Sequence, residues 1–462
     1  MRLYLLEKAP EGGLGSVEIE GLHWKLAAQD LEASDTEDIS FTCVSYTWGE
    51  GRERSPFHPD YDISDRTIPA LKAVGRHRPA CAGIWIDAFC VPVDVPERAH
   101  TLESMGYIYS RAEEVIVVLS SAARPVLEQM STSDRVDAVH LEILEKEEWV
   151  SRAWTYQEAV NSRTLYITCE ESNGAIVQGS HFLNCLGYTL SRLDAGAGLA
   201  SDKRQRYPRL DAFEDLIADY MIAGYQERSA LQVMSNMDRR THGRREDHFY
   251  AMIGAISTAR ASSCPTLDPC EAFMSLCERK GDYSFIYSAA KRDARPSKRW
   301  RPVSGDLPSI LPWHCFGAGQ PAHEDSGSLY LDLMMSFGGS PLDEDGKKFV
   351  EGWLASSKIQ AVRPPVSLQE SAYAALRMMG FTGSPECFST THGFFFPSEP
   401  MSTDREITIL VATTVRWTLG APGFARCGGD EEVFTSGVFF GRVNSAAAVS
   451  VKVSSSTWTD EC

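Results

Sequence analysis

The chain has 462 residues, of which 43% are hydrophobic and 23% charged, a composition typical of a folded globular protein. At about 100–200 residues per domain, its length predicts two or three domains. The formal net charge of −18 argues against general binding to nucleic acids or anionic membranes, because both require a basic surface, and we expect no membrane span since no apolar run approaches ~20 residues.

Twelve cysteines are spread along the chain without any CxxC pair. Several lie in apolar, strand-like runs, where a reduced cysteine packs as a small hydrophobic residue. The N-terminal sequence "MRLYLLEKAPEGG" has too short an apolar run for a signal peptide. Together these features favour a thiol-reducing, cytoplasmic location. Cys264, Cys270 and Cys277 do not have the usual spacing of zinc ligands, and we expect neither a metal site nor a bound cofactor.

The first part of the chain shows the pattern of a doubly wound α/β domain. Continuous apolar runs predict buried parallel strands at 41–46, 83–91, 113–120 and 164–170, and helical periodicity predicts helices at 67–77 and 96–112. Strands that alternate with helices in this way form a parallel sheet. We therefore predict an α/β domain over residues 1–175, a helical extension over 176–261, and a mixed α+β domain of unknown role over 262–462.

The sequence "EWVSRAWTYQEA" (148–159) places two tryptophans, an arginine and a glutamate within about three turns of a predicted helix. On a helical wheel Trp149 and Tyr156 share the side that would face the core. Trp154 belongs to a second row, and Glu158 follows it one turn later. Either Glu158 is a surface glutamate beside a partly buried tryptophan, or it is a functional carboxylate.

Polar and aromatic residues follow the first two predicted strands. Ser45, Tyr46, Trp48 and Gly49 come at the end of the first strand, and Asp87 at the end of the second. Ligands of open parallel sheets bind at the carboxyl ends of the strands, and these side chains suit a ligand with a flat ring and a sugar. The alternatives are a tight turn anchored by Trp48, and a helix cap or buried ion pair at Asp87.

Several common catalytic motifs are missing from the sequence. There is no GxGxxG after a strand, no P-loop, no HExxH and no GxSxG. A Rossmann dehydrogenase, a P-loop NTPase, a zincin and an α/β-hydrolase are therefore disfavoured.

At the residues discussed above, the chain resembles fungal heterokaryon-incompatibility (HET) domains. The matching stretches are "CVSYTWG" (43–49), "WIDAFCV" (85–91), "ER" (97–98), "MGYIYSRAEEVIVVL" (105–119) and "RAWTYQE" (152–158), followed by "RR" (239–240) and "REDHFYAMIGA" (245–255). HET domains are in turn similar to Toll/interleukin-1 receptor (TIR) domains. The resemblance implies a flavodoxin/TIR-like parallel sheet and a role in incompatibility and cell-death signalling.

The resemblance also implies an activity. In TIR domains that cleave NAD, a glutamate that follows a tryptophan is catalytic, and the matching position is Glu158. The residues then expected to bind the substrate are Ser45, Tyr46, Trp48, Gly49, Asp87, Arg152 and Trp154. Trp154, Tyr46 or Trp48 would stack on a base, and Arg152 would bind a phosphate unless it pairs with Glu148 or Asp87.

The sequence leaves three functions open. The first is hydrolysis of NAD, as a substrate, to nicotinamide and ADP-ribose or a cyclic form, with self-association completing the site. The second is a non-catalytic TIR-like module for self-association and recognition. The third is an enzyme that uses the same cleft for another small molecule, which an apolar lining would favour, whereas arginines would favour a dinucleotide. A basic cluster (239–245) is explained by an ion-pair network or by closure over a diphosphate.

Overall fold

The computed structural model describes residues 2–30, 39–171, 174–194, 202–221, 228–259, 268–295, 298–357, 367–401, 406–427 and 433–455. Within these ranges no helix combines the length and the apolarity that crossing a membrane requires. The cysteines in the same ranges are free thiols, most of them buried. Cys264 and Cys462 lie outside the described residues.

The secondary-structure elements are numbered in chain order. The strands are β1 Arg2–Lys8, β2 Ser16–Ile19, β3 Leu22–Asp30, β4 Thr42–Tyr46, β5 Arg52–Arg54, β6 Asp62–Ser64, β7 Ile84–Trp85, β8 Glu114–Leu119, β9 Leu165–Cys169, β10 Val177–Gln178, β11 Phe316–Gly317, β12 Ala322–Asp325, β13 Ser328–Phe337, β14 Phe388–Thr390, β15 Gly393–Pro397, β16 Ile407–Ala412, β17 Val415–Arg416, β18 Gly420–Cys427, β19 Val433–Gly441 and β20 Val449–Ser455. The helices are α1 Thr67–His77, α2 Asp87–Cys90, α3 Val95–Glu103, α4 Met105–Arg111, α5 Arg124–Met130, α6 Ala138–Lys146, α7 Glu148–Ser151, α8 Ala153–Val160, α9 Gly179–Asp194, α10 Asp202–Arg206, α11 Pro208–Met221, α12 Ala230–Met237, α13 Arg245–Ile256, α14 Pro269–Lys280, α15 Glu344–Ser356 and α16 Leu368–Met378.

The chain folds into two compact units, each built from more than one segment. The first unit comprises Met1–Leu193, Lys203–Ile222 and Arg240–Leu267. The second comprises Asp194–Asp202, Ala223–Arg239 and Asp268–Cys462. The domain boundaries predicted at 175 and 261 stay predictions.

The first unit contains a mixed sheet with a parallel centre. Its strand order is β10-β9-β8-β4-β7-β1-β3-β2, in which β9, β8, β4 and β7 run parallel and the flanking strands pair antiparallel. Counted in chain order, the parallel strands follow the sequence 2-1-3-4, the order of flavodoxin-like sheets. The predicted parallel α/β sheet is therefore confirmed, and its order reverses between β4 and β8.

Burial explains why these runs form the centre of the sheet. Every residue of β4 is buried, and Val115 to Leu119 of β8 are at most 1% exposed. A strand covered on both faces can be apolar along its whole length. The helix predicted at 67–77 is confirmed as α1, which buries Ala70 and Val74.

Three parts of this unit differ from the sequence prediction. The run 83–91 forms only the short β7 before the chain turns into α2, so most of it is not strand. The helix predicted over 96–112 is broken at Ser104, which has non-helical backbone angles. The N-terminal strands β1–β3 were not predicted, and they extend the sheet antiparallel beyond β7.

The second unit is built around an antiparallel sheet. Its strands follow the order β12-β13-β16-β18-β19-β15-β14, with β20 paired to β13. Phe395, Ile409 and Phe439 are buried in the core on one face of this sheet. With α14, α15 and α16, this part of the chain has the mixed α and β content that the sequence predicts.

Candidate active site

The turn after β4 requires a glycine. Gly49 has φ of +59°, in the left-handed region that favours glycine. A Cβ atom at this position would lie 3.1 Å from Cδ of Arg66. Trp48, the residue before it, donates its indole N–H to Oδ2 of Asp87 at 2.7 Å. The turn therefore brings the end of β4 onto the start of α2.

Asp87 begins α2 and accepts two hydrogen bonds. Besides the indole of Trp48, the backbone N–H of Ala88 donates to its Oδ1 at 2.7 Å. Burial raises the pKa of Asp87, and these two bonds oppose the rise. Tyr46 lies beside it with its hydroxyl 2.8 Å from Oγ1 of Thr67, and burial raises the pKa of Tyr46 well above its usual range. Asp87 is thus the first residue of α2, not its cap, since Ile86 holds the cap position, and it is part of a polar cluster.

A chain of hydrogen bonds fixes the carboxyl group of Glu158. The indole N–H of Trp149 donates to Oγ of Ser45 at 2.8 Å, and the hydroxyl of Ser45 donates to Oε2 of Glu158. Because an indole N–H can only donate, it occupies an acceptor site on Ser45 and leaves the serine hydrogen for Glu158. Ser45 and Trp149 are each 1% exposed, and Glu158 is 7% exposed.

The environment of Glu158 gives its carboxyl group a pKa of about 7. Burial is the main cause, because an ionised carboxylate loses solvation there. The hydrogen bond from Ser45 and the charge of Arg152 oppose this effect, whereas the negative charge of Asp87 adds to it. At neutral pH the group therefore exists in both protonation states.

The predicted helix over 148–159 is interrupted at Arg152. Its φ and ψ of −77° and 144° are extended, so α7 ends at Ser151 and α8 begins at Ala153. The backbone of Thr241 takes the place of the helical bonds: its N–H donates to the Ser151 carbonyl at 2.7 Å, and its carbonyl accepts from Ala153 at 2.8 Å. A continuous helix was the wrong prediction because this distant strand-like contact competes with local hydrogen bonding.

Buried polar contacts hold α8 in place. Arg240 is 5% exposed and donates to the carbonyls of Val150 and Arg152, both at 3.2 Å. The hydroxyl of Tyr156 donates to Oδ2 of Asp219 at 2.6 Å. Arg240, one member of the predicted basic cluster, thus binds the protein backbone next to the site and does not bind a ligand through these contacts.

These elements surround a cavity of about 600 Å³, within the usual range for small-molecule sites. The predicted residues that line it are Tyr46, Trp48, Gly49, Asp87, Arg152, Trp154 and Glu158. Ser45 is not among the lining residues and lies behind Glu158, to which it donates. Trp154 stacks on Tyr250, with ring centroids 6.4 Å apart.

Residues 41–158 match the family model described as Heterokaryon incompatibility protein (HET). This HET segment begins just before β4 and ends at Glu158, so it contains every site residue predicted from the sequence. It spans about a quarter of the chain. Comparisons with curated proteins and with solved structures gave no match.

Arg152, inside the HET segment, lines the cavity and has no close ion-pair partner among the described residues. Neither of the ion pairs considered from the sequence, with Glu148 or with Asp87, forms: among the described residues no carboxylate oxygen lies within 4.0 Å of its guanidinium nitrogens. Burial raises the pKa values of Asp87, Glu158 and Asp247, and the charge of Arg152 partly opposes this rise.

Further lining residues lie on elements that sequence reasoning did not connect with the site. They include Arg52, Tyr61, Arg98, Arg209, His242 and Arg244. Arg209 and Arg244 lie beyond the HET segment, at the starts of α11 and α13. The only signal for them was the cluster of basic residues at 239–245, of which Arg244 does reach the cavity.

Within the described part of the chain, no group of three His, Cys, Asp or Glu side chains is arranged to hold a metal. Cys270 and Cys277 are buried in α14, where they pack as apolar residues, and Cys264 lies outside the described ranges. The chemistry available at the cavity is thus that of a buried carboxyl group, aromatic rings and guanidinium groups.

Proposed function

We propose that this protein acts in incompatibility and cell-death signalling by hydrolysing NAD to nicotinamide and ADP-ribose, or to a cyclic form. The observation that carries the proposal is the carboxyl group of Glu158, which lines the cavity and is fixed from behind by Ser45. A rigid, nearly buried carboxylate is suited to stabilise positive charge that develops in a transition state.

The reaction needs little more than this carboxylate. The bond between C1′ of the ribose and the pyridinium nitrogen breaks, and its electron pair goes to nitrogen, so nicotinamide leaves as a neutral molecule without a general acid. The ribose gains oxocarbenium character, which ionised Glu158 stabilises and whose hydroxyls it can hold. Water then adds to C1′ and releases one proton; in the cyclic form an adenine nitrogen takes the place of water.

Other lining residues suit the remaining parts of a dinucleotide. Trp48 and Trp154 offer aromatic faces for nicotinamide or adenine. Arg152 has no close carboxylate partner among the described residues, and its planar guanidinium matches a phosphate. The order of the parallel strands also supports the comparison with TIR domains. Tyr46 at the end of β4 and Asp87 after β7 line the same cavity, as expected for a ligand site at the carboxyl ends of parallel strands.

The lining argues for a dinucleotide over the alternatives. A cleft repurposed for an apolar small molecule would have an apolar wall, whereas arginines line this one. A module that only self-associates has no need of a buried carboxylic acid with a pKa of about 7, which costs stability when ionised. Self-association remains part of the proposal as a condition that completes or activates the site.

The test is release of nicotinamide from NAD by the purified full-length chain, in dilute solution and under crowding that promotes association. We expect release that depends on Glu158 and that falls at least a hundredfold in Glu158→Gln, since a single electrostatic stabiliser commonly contributes ~10²–10³ in kcat. Gln keeps the size of the side chain and an oxygen that accepts from Ser45.

Glu147→Gln is the matched control. Glu147 is also a buried glutamate, 4% exposed, and it accepts from the hydroxyl and the backbone N–H of Ser120, but it does not line the cavity. Release that persists in Glu147→Gln and is lost in Glu158→Gln supports the proposal. Equal release of nicotinamide by wild type and Glu158→Gln would show that Glu158 is not catalytic. No release by wild type under any condition would show that NAD is not a substrate.

A further inference from the structure

The cavity collects guanidinium groups in a protein whose net charge is −18. Among the described residues, its lining includes Arg52, Arg98, Arg152, Arg209 and Arg244. They come from β5, α3, the break between α7 and α8, the start of α11 and the residue before α13. Arginines from so many elements around one space indicate an anionic ligand.

These arginines are not neutralised by the protein. In the described part of the chain, none of the five has a carboxylate oxygen within 4.0 Å of its guanidinium nitrogens. Arg98 donates to the hydroxyl of Tyr61 at 2.8 Å, and Arg209 approaches the carbonyl of Glu145 at 3.5 Å. Both acceptors are uncharged oxygens, so neither hydrogen bond offsets the positive charge of the guanidinium group.

Strand β5 shows the contrast within three residues. Arg54 forms an ion pair with Asp62 at 3.3 Å. Arg52, two positions earlier, donates to the carbonyls of Gly49 and Gly51 at 3.0 and 2.7 Å and lies over the ring of Trp48, 5.6 Å from its centroid. The arginine that faces the cavity is thus held by neutral groups, and the one outside it is paired.

The acidic residues of the cavity are satisfied in a complementary way. Asp87 accepts from the indole of Trp48 and the N–H of Ala88, and Asp247 accepts from the backbone N–H of Arg244 at 3.1 Å. Burial raises the pKa of Glu158 to about 7, so this carboxyl group is partly protonated at neutral pH, and burial also raises the pKa values of Asp87 and Asp247. Glu148 also lines the cavity, so among the described lining residues five arginines face four carboxyl groups, and the arginines are in excess.

Among the described residues, the cavity lining has five guanidinium groups, more than the two phosphates of NAD require. The diphosphate of NAD carries two negative charges, and its pyridinium ring returns one positive charge to the same cavity. A phosphate monoester on the ribose would add about −1.5 to −2 at neutral pH. It would also occupy guanidinium groups that a bare diphosphate leaves unused.

Building on the proposed function, we propose that the preferred substrate is a pyridine dinucleotide with a third phosphate on its adenosine ribose. Arg152 immediately precedes α8, the helix that carries Glu158, Arg244 immediately precedes α13, and both line the cavity, so these two arginines bind the diphosphate beside the reacting ribose. Arg52 and Arg98, held at Trp48 and Tyr61, bind the third phosphate.

The test compares binding of NAD and of its 2′-phosphorylated form to the full-length Glu158→Gln protein by titration calorimetry. We expect the 2′-phosphorylated form to bind at least tenfold more tightly, as one added charge-assisted contact of about 1.5–3 kcal/mol implies. Arg52→Gln and, independently, Arg98→Gln should weaken binding of the 2′-phosphorylated form by a much larger factor than binding of NAD, and so remove most of this preference. Arg54→Gln, in the same strand but outside the cavity, should change neither.

The outcomes separate this inference from the proposed function. Equal or tighter binding of NAD, or an equal loss for both dinucleotides in Arg52→Gln and Arg98→Gln, would overturn the third-phosphate site even if nicotinamide is released from NAD. If the 2′-phosphorylated form binds clearly more tightly but wild type releases nicotinamide from neither dinucleotide, the third-phosphate site is supported and the proposed hydrolysis is wrong.

Discussion

Glu158 has an electrostatic cost that stability measurements can detect without any substrate. Its pKa of about 7 in the folded chain lies above the value of 4.5 expected for a free glutamate. Between these values the folded protein holds a proton that the unfolded chain releases, so the free energy of unfolding falls as pH rises through this window and levels off above 7. A functional group that lowers stability in this way is typical of an active site.

We therefore predict that Glu158→Gln becomes more stable than wild type as pH increases. The gain at pH 8 relative to pH 4.5 should reach roughly 3 kcal/mol, the free energy of a shift of about 2.5 pKa units. Urea unfolding at several pH values measures it. Glu128→Gln, at an exposed glutamate, serves as the control. A stability difference that is the same at both pH values would contradict the assignment of Glu158 as a buried, titrating group.

Ser45 determines how much of Glu158 is ionised near neutral pH. Its hydroxyl donates to Glu158. This hydrogen bond keeps the pKa of the carboxyl group lower than burial alone would make it. We predict that Ser45→Ala moves the rising limb of kcat/KM for nicotinamide release to higher pH. At pH 6.5 activity should fall about tenfold or more, since a hydrogen bond to a charged group contributes about 1.5–3 kcal/mol. The pH profile of kcat/KM is the measurement.

Recovery at high pH separates positioning from simple damage to the fold. If Ser45 acts through the ionisation of Glu158, the activity of Ser45→Ala should approach that of wild type at pH 9. If activity is reduced by the same factor at every pH, Ser45 holds geometry alone and the electrostatic explanation is wrong.

At the scale of elements, the site depends on how closely α4, α8 and α13 approach one another. A Cβ at Gly106 would collide with the carbonyl oxygens of Gly254 and Ser257, and one at Gly254 would collide with Oε1 of Gln157. Because Gln157 precedes Glu158 in α8, this contact also sets the position of the catalytic candidate. Both glycines lie inside helices. Glycine is therefore required at these positions because the helices approach closely, and not because the backbone adopts an unusual conformation.

We predict that Gly254→Ala lowers the free energy of unfolding by about 1–3 kcal/mol, the usual cost of overpacking. Gly75→Ala is the control, because Gly75 lies in α1 and its Cβ would meet only Trp24, at 4.0 Å. That change should raise stability by about 0.5–1 kcal/mol through helix propensity. Urea unfolding of both variants decides the matter. A neutral or stabilising Gly254→Ala would show that the helices can separate at no cost.

The sequence predicts the elements whose pattern is local. Strands β4, β8 and β9 and helix α1 were predictable because continuous burial and helical periodicity leave a direct trace in the order of residues. The flanking strands β1–β3 were not predicted, because their mixture of buried and exposed residues leaves no continuous apolar run, although β1 and β2 both pair with β3 within the first 30 residues. The break at Arg152 was not predicted either, because its cause is Thr241, almost ninety positions away.

The candidate site follows the same division. The residues that the sequence groups at strand ends and on α8 do line one cavity, apart from Ser45, which the pattern could not place behind Glu158. Arg209 could not be assigned from the sequence, and for Arg244 the sequence left an ion-pair network and closure over a diphosphate open, because only the packing of α11 and α13 in the first unit brings them to the cavity.

At the scale of the whole molecule, the chain carries a strong excess of negative charge, whereas five arginines of its described part line the cavity. A net charge of −18 destabilises a folded chain by self-repulsion, and added salt screens that repulsion. In the cavity lining five arginines outnumber four carboxyl groups, and these arginines lack close carboxylate partners among the described residues. Salt therefore weakens attraction there while it relieves repulsion elsewhere.

We predict that raising NaCl from 20 to 300 mM moves stability and ligand binding in opposite directions. The melting temperature should rise, because over this range the Debye length falls from roughly 20 Å to below 8 Å and long-range repulsion is screened. Over the same range the Kd of a pyridine dinucleotide for Glu158→Gln should increase severalfold. The Kd of adenosine, a neutral nucleoside that makes no phosphate contact with arginine, should increase less. Thermal melts and calorimetric titrations in one salt series provide both values. If binding of the dinucleotide is insensitive to salt while adenosine binds equally well, the guanidinium groups do not contact phosphate, and the cavity recognises its ligand through the aromatic residues alone.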